Sequence, residues 1–177
     1  MIKQLLLSVL LCFALYAQSP EFGFGVGGGI SYPTGEFKEG VNFGYSPNVT
    51  LHVPVFGVHT ILSLSYGLWD EKNVEDTANS VFTTIEYTNF PVLFVGARKY
   101  FGSFFVSALA GIYPVKLKVK EVRNGEPFEY EDETTQGSLA PGFGVVFPFQ
   151  GLRLEPLVEY MWNENFSQAG LRLNVLF

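Results

Sequence analysis

The chain has 177 residues, of which 47% are hydrophobic, 16% aromatic and 16% charged, whereas an ordinary soluble domain is about 25% charged. Its 18 Phe, 9 Tyr and 19 Gly suit strands and turns, because Gly weakens helices and aromatic rings lose rotamer freedom in them. The formal net charge of −6 lacks the basic excess of a nucleic-acid binder, so no nucleic-acid partner is expected.

At the N-terminus Lys3 precedes an apolar run from Leu5 to Leu15, broken only by Ser8, and Ala17 offers a small residue for cleavage. This is the layout of a secretory signal peptide over residues 1–17, with a single domain over 18–177. The run is too short for a spanning helix. Cys12 lies inside it, so the mature chain is expected to have no thiol or disulfide chemistry. No cofactor is expected either.

Beyond residue 20, apolar residues recur at every second position, the period of a strand with one greasy face. In the first segment Phe22, Phe24, Val26, Gly28, Ile30 and Tyr32 alternate with Gly23, Gly25, Gly27, Gly29 and Ser31. The second sets Val41, Phe43, Tyr45, Pro47, Val49, Leu51 and Val53 against Asn42, Gly44, Ser46, Asn48, Thr50 and His52. The third sets Val58, Thr60, Leu62, Leu64, Tyr66 and Leu68 against His59, Ser63, Ser65 and Gly67. The fourth, 85–99, is apolar on both faces and yields no face assignment; a bulge or kink is expected near Pro91. The fifth, 104–120, alternates only in its second half, where Tyr113, Val115, Leu117 and Val119 oppose Lys116, Lys118 and Lys120. The sixth (139–149), the seventh (152–162) and the last (168–177) alternate throughout.

Eight such segments, most long enough to cross a bilayer at about 9–11 residues each, predict an all-β fold: an eight-stranded antiparallel up-and-down transmembrane β-barrel. A soluble barrel would carry charges on its outer face. Here the second face is mostly Gly, Ser, Asn, Thr and Ala, which suits a narrow bore. Apolar side chains are therefore expected to touch lipid, with small and ionic ones inside. Short connections at Pro54–Gly57, Tyr100–Ser103 and Pro148–Gly151 read as periplasmic turns, and longer ones at Pro33–Gly40, Trp69–Ser80 and Glu121–Gly137 as outer loops. Asn124-Gly125 is a hairpin signal, so the fifth and sixth strands are expected to extend as a ribbon. Tyr66, Trp69, Tyr160, Trp162 and Phe166 are read as an outer aromatic belt, and Phe101, Phe104, Phe147 and Phe149 as an inner one.

The closing residues carry the most specific motif. Phe177 is a terminal aromatic, and Gln168, Gly170, Leu173 and Val175 stand in the polar-x-Gly-x-x-apolar-x-apolar spacing of an outer-membrane assembly signal. With Gly29-Ile30-Ser31-Tyr32-Pro33-Thr34-Gly35-Glu36-Phe37 and Asn89-Phe90-Pro91-Val92-Leu93 leading to Lys99-Tyr100-Phe101, the chain resembles the OmpA/OmpX-like outer membrane protein β-barrel domain family. The resemblance implies location in the bacterial outer membrane, with outer-membrane lipids and the barrel assembly machinery as partners. It brings no catalytic residues, and no periplasmic peptidoglycan-binding domain is expected beyond the barrel.

Arg153, Glu155, Glu159 and Arg172 fall on inward faces and are expected to form barrel-interior ion pairs, because an unpaired charge in a narrow bore costs several kcal/mol. A two-residue turn at Asn163-Glu164 would set Arg172 across from Glu155. His52 and His59 flank a turn and are expected to face each other across the second and third strands, but no third ligand is evident, so no metal site is expected. The acidic loops, with Asp70, Glu71, Glu75, Asp76, Glu126, Glu129, Glu131, Asp132 and Glu133, are the expected place for any extracellular partner. The leading reading is a structural or surface-interaction barrel with a filled lumen. The alternatives are a narrow pore for ions or small solutes and, ranked lower, a lipid-modifying outer-membrane enzyme. An enzyme is not expected, since such enzymes need a lipid-facing His near the outer rim and both histidines here face inward at the other rim.

Overall fold

The computed structural model describes residues 22–35, 38, 41–71, 73–76, 81–89, 91–123, 126–164 and 166–177. The signal-peptide segment and the Asn124-Gly125 tip lie outside the described residues. The period-two pattern folds into β1 (Gly23–Pro33), β2 (Val41–Tyr45), β3 (Asn48–Val55), β4 (Val58–Ser65), β5 (Leu68–Glu71), β6 (Asn73–Asp76), β7 (Val81–Asn89), β8 (Val92–Phe101), β9 (Phe104–Arg123), β10 (Glu126–Val145), β11 (Phe147–Phe149), β12 (Leu152–Met161) and β13 (Gln168–Leu176). Successive pieces line up, giving eight walls of a closed antiparallel barrel: β1, β2–β3, β4–β5, β7–β8, β9, β10–β11, β12 and β13. The two ends of the chain close the sheet, with β1 and β13 paired from Gly25↔Leu176 to Pro33↔Gln168. Closure pairs the two strands that would otherwise be the free edges of the sheet, which lipid could not satisfy.

The pleat sorts the side chains. Phe24, Ile30, Leu62, Leu64, Val95, Val106, Ile112, Phe143, Val158, Leu171 and Leu173 turn outward and are exposed, while Ser31, Asn48, Thr50, Ser63, Ser65 and Ser107 turn inward and are buried. A greasy outer face is the reverse of a water-soluble barrel, and it makes the outer surface a lipid contact.

The three short connections are two-residue turns with left-handed backbone: φ is +48° and +77° at Phe56-Gly57, +48° and +85° at Gln150-Gly151, and +64° at Gly102. Turns with positive φ match the twist of the strands they join. Two bulges alter the expected faces. Between Asn89↔Val115 and Leu93↔Ile112 the chain advances four residues against three on β9, so the extra residue lies between Asn89 and Leu93, around Pro91, where a bulge was expected. A register shift between Val41 and Gly44 where β2 pairs β5 turns Val41 into the bore and Asn42 outward, opposite to the simple alternation.

The β9–β10 hairpin runs without a break from Val145↔Phe104 to Glu126↔Arg123. Its outer half is joined by β7, which in turn pairs β6, so much of the sequence expected as outer loop is a sheet standing above the barrel. The seam between β10 and β12 is the least regular. It is paired at Gly142–Gly144 against Leu157–Glu159, with a further bridge of two hydrogen bonds between Leu139 and Trp162. Counting in steps of two from that bridge, Pro141 and Pro156 occupy positions whose N–H would point across the seam, and neither has one.

Candidate functional site: a bore closed at three levels

Near the periplasmic mouth β3, β4, β8 and β12 bring together His52, His59, Arg98, Tyr100 and Glu155. Arg98 and Glu155 form a salt bridge with both side chains almost wholly buried. Tyr100 Oη donates to the other carboxylate oxygen of Glu155 at 2.9 Å and lies 3.4 Å from His52 Nδ1. The Arg98 guanidinium lies 4.1 Å from the centre of the Phe105 ring, a cation–π contact. His59 meets the Tyr100 ring edge-on at 5.0 Å. The two histidines are both inward and buried, but they are not direct partners: His52 pairs Ile61 and His59 pairs Pro54. Among the described residues no group of three His, Cys, Asp or Glu could hold a metal.

At mid-height Arg172 Nη2 lies 2.6 Å from Glu159 Oε1. Arg172 therefore does not face Glu155. The turn after β12 is not the expected two-residue one: Met161 pairs Gln168, so the connection between them is longer, and the register places Leu157 across from Arg172 and Glu159 on its diagonal. Arg153 is half-buried at the inner end of β12, and no carboxylate among the described residues bonds it. The cavity beside the Glu159–Arg172 pair is about 20 Å³, lined by Ser31, Ser46, Tyr113, Gln168 and neighbours. That is room for about one water, at roughly 10–15 Å³ each.

Around the cavity and above it the rest of the bore is largely apolar. Val41, Ile61, Val92, Phe94, Leu109, Tyr113, Val115, Ala140, Met161 and Phe166 form one buried cluster, with Trp69 packed against it. The expectation that only small and ionic groups fill the bore is thus corrected for its outer half. Trp69 and Phe166, expected in the lipid-facing belt, belong to this plug. Phe166 is folded in by its loop: its N–H donates to Asn163 Oδ1, Ser167 Oγ donates to the Asn163 carbonyl at 2.7 Å, and Asn163 Nδ2 donates to Ser138 Oγ at 3.2 Å. The Phe166 ring stacks on Tyr113 at 6.2 Å.

Outside, Lys116 bridges Glu131 at 2.8 Å and Lys118 bridges Glu129, all on the outward side of the ribbon. The hydrogen bond from Lys116, with its charge and that of Lys118, holds the Glu131 carboxyl below the usual range. On the opposite side Phe128 and Tyr130 are exposed.

Arg98 and the plug were missed because both draw on strand four, whose faces the sequence left open. The usable signal was that doubly apolar pattern: a strand greasy on both sides must bury one of them. Of the closing motif, Leu173 and Phe177 face outward, Gln168 Nε2 lies 3.4 Å from Met161 Sδ, and the Phe177 N–H donates to the Phe24 carbonyl at 2.9 Å.

No family model and no curated protein matches the chain by sequence. Solved structures do match. A major outer membrane protein from Thermus thermophilus aligns with TM-score 0.54 and 11% identity, over 88% of this chain and 98% of that one. Ail, the attachment invasion locus protein of Yersinia pestis, solved with the heparin analogue sucrose octasulfate, aligns with TM-score 0.50 and 14% identity, over 89% and 98%. Neisserial surface protein A aligns with TM-score 0.50 and 11% identity, over 88% and 95%. What these bacterial outer-membrane proteins share with this chain is the fold, the eight-stranded barrel that the OmpA/OmpX-like resemblance implied, and the greasy outer wall suits that barrel to a bilayer.

Proposed function

We propose that the chain is a structural and surface-interaction barrel that does not conduct solutes. The observation that carries this reading is the bore itself: buried ion pairs and an apolar cluster fill it, and the cavity between the Glu159–Arg172 pair and that cluster holds about one water. Arg153, Glu155, Glu159 and Arg172 act as filling, with Arg98 as the partner of Glu155. Planar-bilayer recordings of the purified protein should stay at baseline, and sustained single-channel steps would overturn the reading in favour of a narrow pore. Neither histidine faces lipid, which supports a non-enzymatic role over a lipid-modifying one.

Partner binding is assigned to the sheet above the barrel. Between residues 116 and 133 it carries 6 carboxylates against 4 cationic side chains. Ail was solved with a sulfated sugar; a ligand of that charge does not suit this ribbon, and a basic one does. Vesicles bearing the protein should bind immobilised polylysine in a salt-sensitive way and ignore immobilised heparin, and removing residues 121–137 should abolish the former. In the same reading residues 1–17 are a cleaved export signal, and Gln168, Gly170, Leu173, Val175 and Phe177 are what the assembly machinery meets.

A further inference from the structure

We infer that the lipid-facing wall carries a seat for one acyl chain, formed where Pro156, Leu173, Gly28 and Pro47 cross β12, β13, β1 and the β2–β3 junction as a single rung. The register sets Pro156 beside Leu173 and Leu173 beside Gly28, and the β1–β3 pairing carried one step past Gly27↔Asn48 sets Gly28 beside Pro47. Around this rung lies a concave region of about 630 Å³ that opens outward. The rung above holds Leu171, Ile30 and Tyr45; the one below holds Val175, Val26 and Val49. Rungs on one face are two residues apart, or about 7 Å, so a missing side chain leaves a slot about one methylene chain wide.

Gly28 makes the slot. Every other even position from Phe22 to Tyr32 carries a large apolar group. Neither crowding nor backbone conformation asks for glycine at this one. Its φ is not left-handed, and an added Cβ would come no nearer than 3.8 Å to Ser46 O and 3.9 Å to Pro47 Cα. Gly29, next in sequence but inward, differs: a Cβ there would stand 2.8 Å from the Leu171 carbonyl oxygen. The occupant follows from where the slot lies. It is continuous with the exposed apolar belt that faces the bilayer, and Arg172, which borders it, has its guanidinium committed to Glu159 inside the bore. A hydrocarbon tail fits such a lining, and a headgroup does not.

The test is native mass spectrometry of the purified protein refolded into vesicles of palmitoyl-oleoyl phosphatidylethanolamine and phosphatidylglycerol, then extracted with detergent. The wild type should keep one lipid after bulk lipid is stripped, with either headgroup. Gly28→Leu, which fills the slot, should lower that retention at least tenfold, while Val26→Leu one rung below should not. Gly28→Val serves as the filler if the leucine variant fails the heat-modifiable mobility check for folding. Equal retention in wild type and filled variants overturns the proposal. So does retention that follows the headgroup but not residue 28, or a dimer of this chain that the filled variants abolish.

Discussion

Replacing Glu155 with Gln tests how the inner level of the bore is held. The carboxylate accepts from Arg98 and from Tyr100, and the side chains of the ion pair are 3% and 0% exposed. The glutamine keeps an oxygen for Tyr100 but leaves the Arg98 guanidinium charged and without its counterion. Breaking a buried pair from one side costs about 3–5 kcal/mol. Arg98→Met should cost a similar amount, because Glu155 is then the stranded charge and the Phe105 cation–π contact is lost. Together the two substitutions remove both charges, and a neutral bore of similar volume should return to within about 1–2 kcal/mol of wild type. Urea titration of the protein in vesicles, read by heat-modifiable gel mobility, gives all four corners of the cycle. The reasoning fails if the two single losses simply add in the double variant to within about 0.5 kcal/mol, as they do for uncoupled sites.

Three further outcomes follow from other parts of the molecule. Gly96→Ala places a methyl group on the Ala108 carbonyl oxygen and 2.7 Å from Leu109 Cα, so β8 and β9 must separate; a loss of about 1–3 kcal/mol is expected in the same titration. Phe166→Ala removes the ring stacked on Tyr113 and should cost about 3 kcal/mol, yet bilayer current should stay at baseline because Tyr113, Met161 and the Glu159–Arg172 pair remain beneath it; steady current would make Phe166 the sole gate. Since the Glu131 carboxyl is held low by Lys116, its contribution to the outer sheet is present above the ordinary carboxylate range and lost as pH falls through the depressed value. The protection of amides in residues 116–133, taken relative to their intrinsic exchange rate at each pH, should therefore fall in acid while that of the wall does not, and an equal fall in both would refute a local effect.

The fold was legible because the bilayer imposes period two on long segments, and β1, β3, β4, β12 and β13 obey it. Where the molecule departs from that pattern, the cause is local or tertiary. The β2 bulge turned Val41 inward, which alternation alone does not signal. The register of β12 and β13 depended on a loop whose length is set by side-chain hydrogen bonds around Asn163, so Arg172 met Glu159 instead of Glu155. The Arg98–Glu155 pair needed two strands far apart in sequence to be placed on one level, and the fourth segment gave no face from which to place Arg98. The ribbon tip signal was local and sufficient to expect the hairpin; that β6 and β7 would join it depends on pairing that no short motif encodes.

The seam between β10 and β12 bears on how the cylinder comes apart. Its two ends of chain are not the weak point, since β1 and β13 are laced together over 9 consecutive residue pairs. Pro141 and Pro156 instead leave gaps in the lacing two seams further round the wall, where two strands neighbouring in sequence meet. Thermal opening, and the last zip during insertion, should therefore fall within the C-terminal half of the chain, so that the joint between first and last strands survives as a hinge when the wall parts.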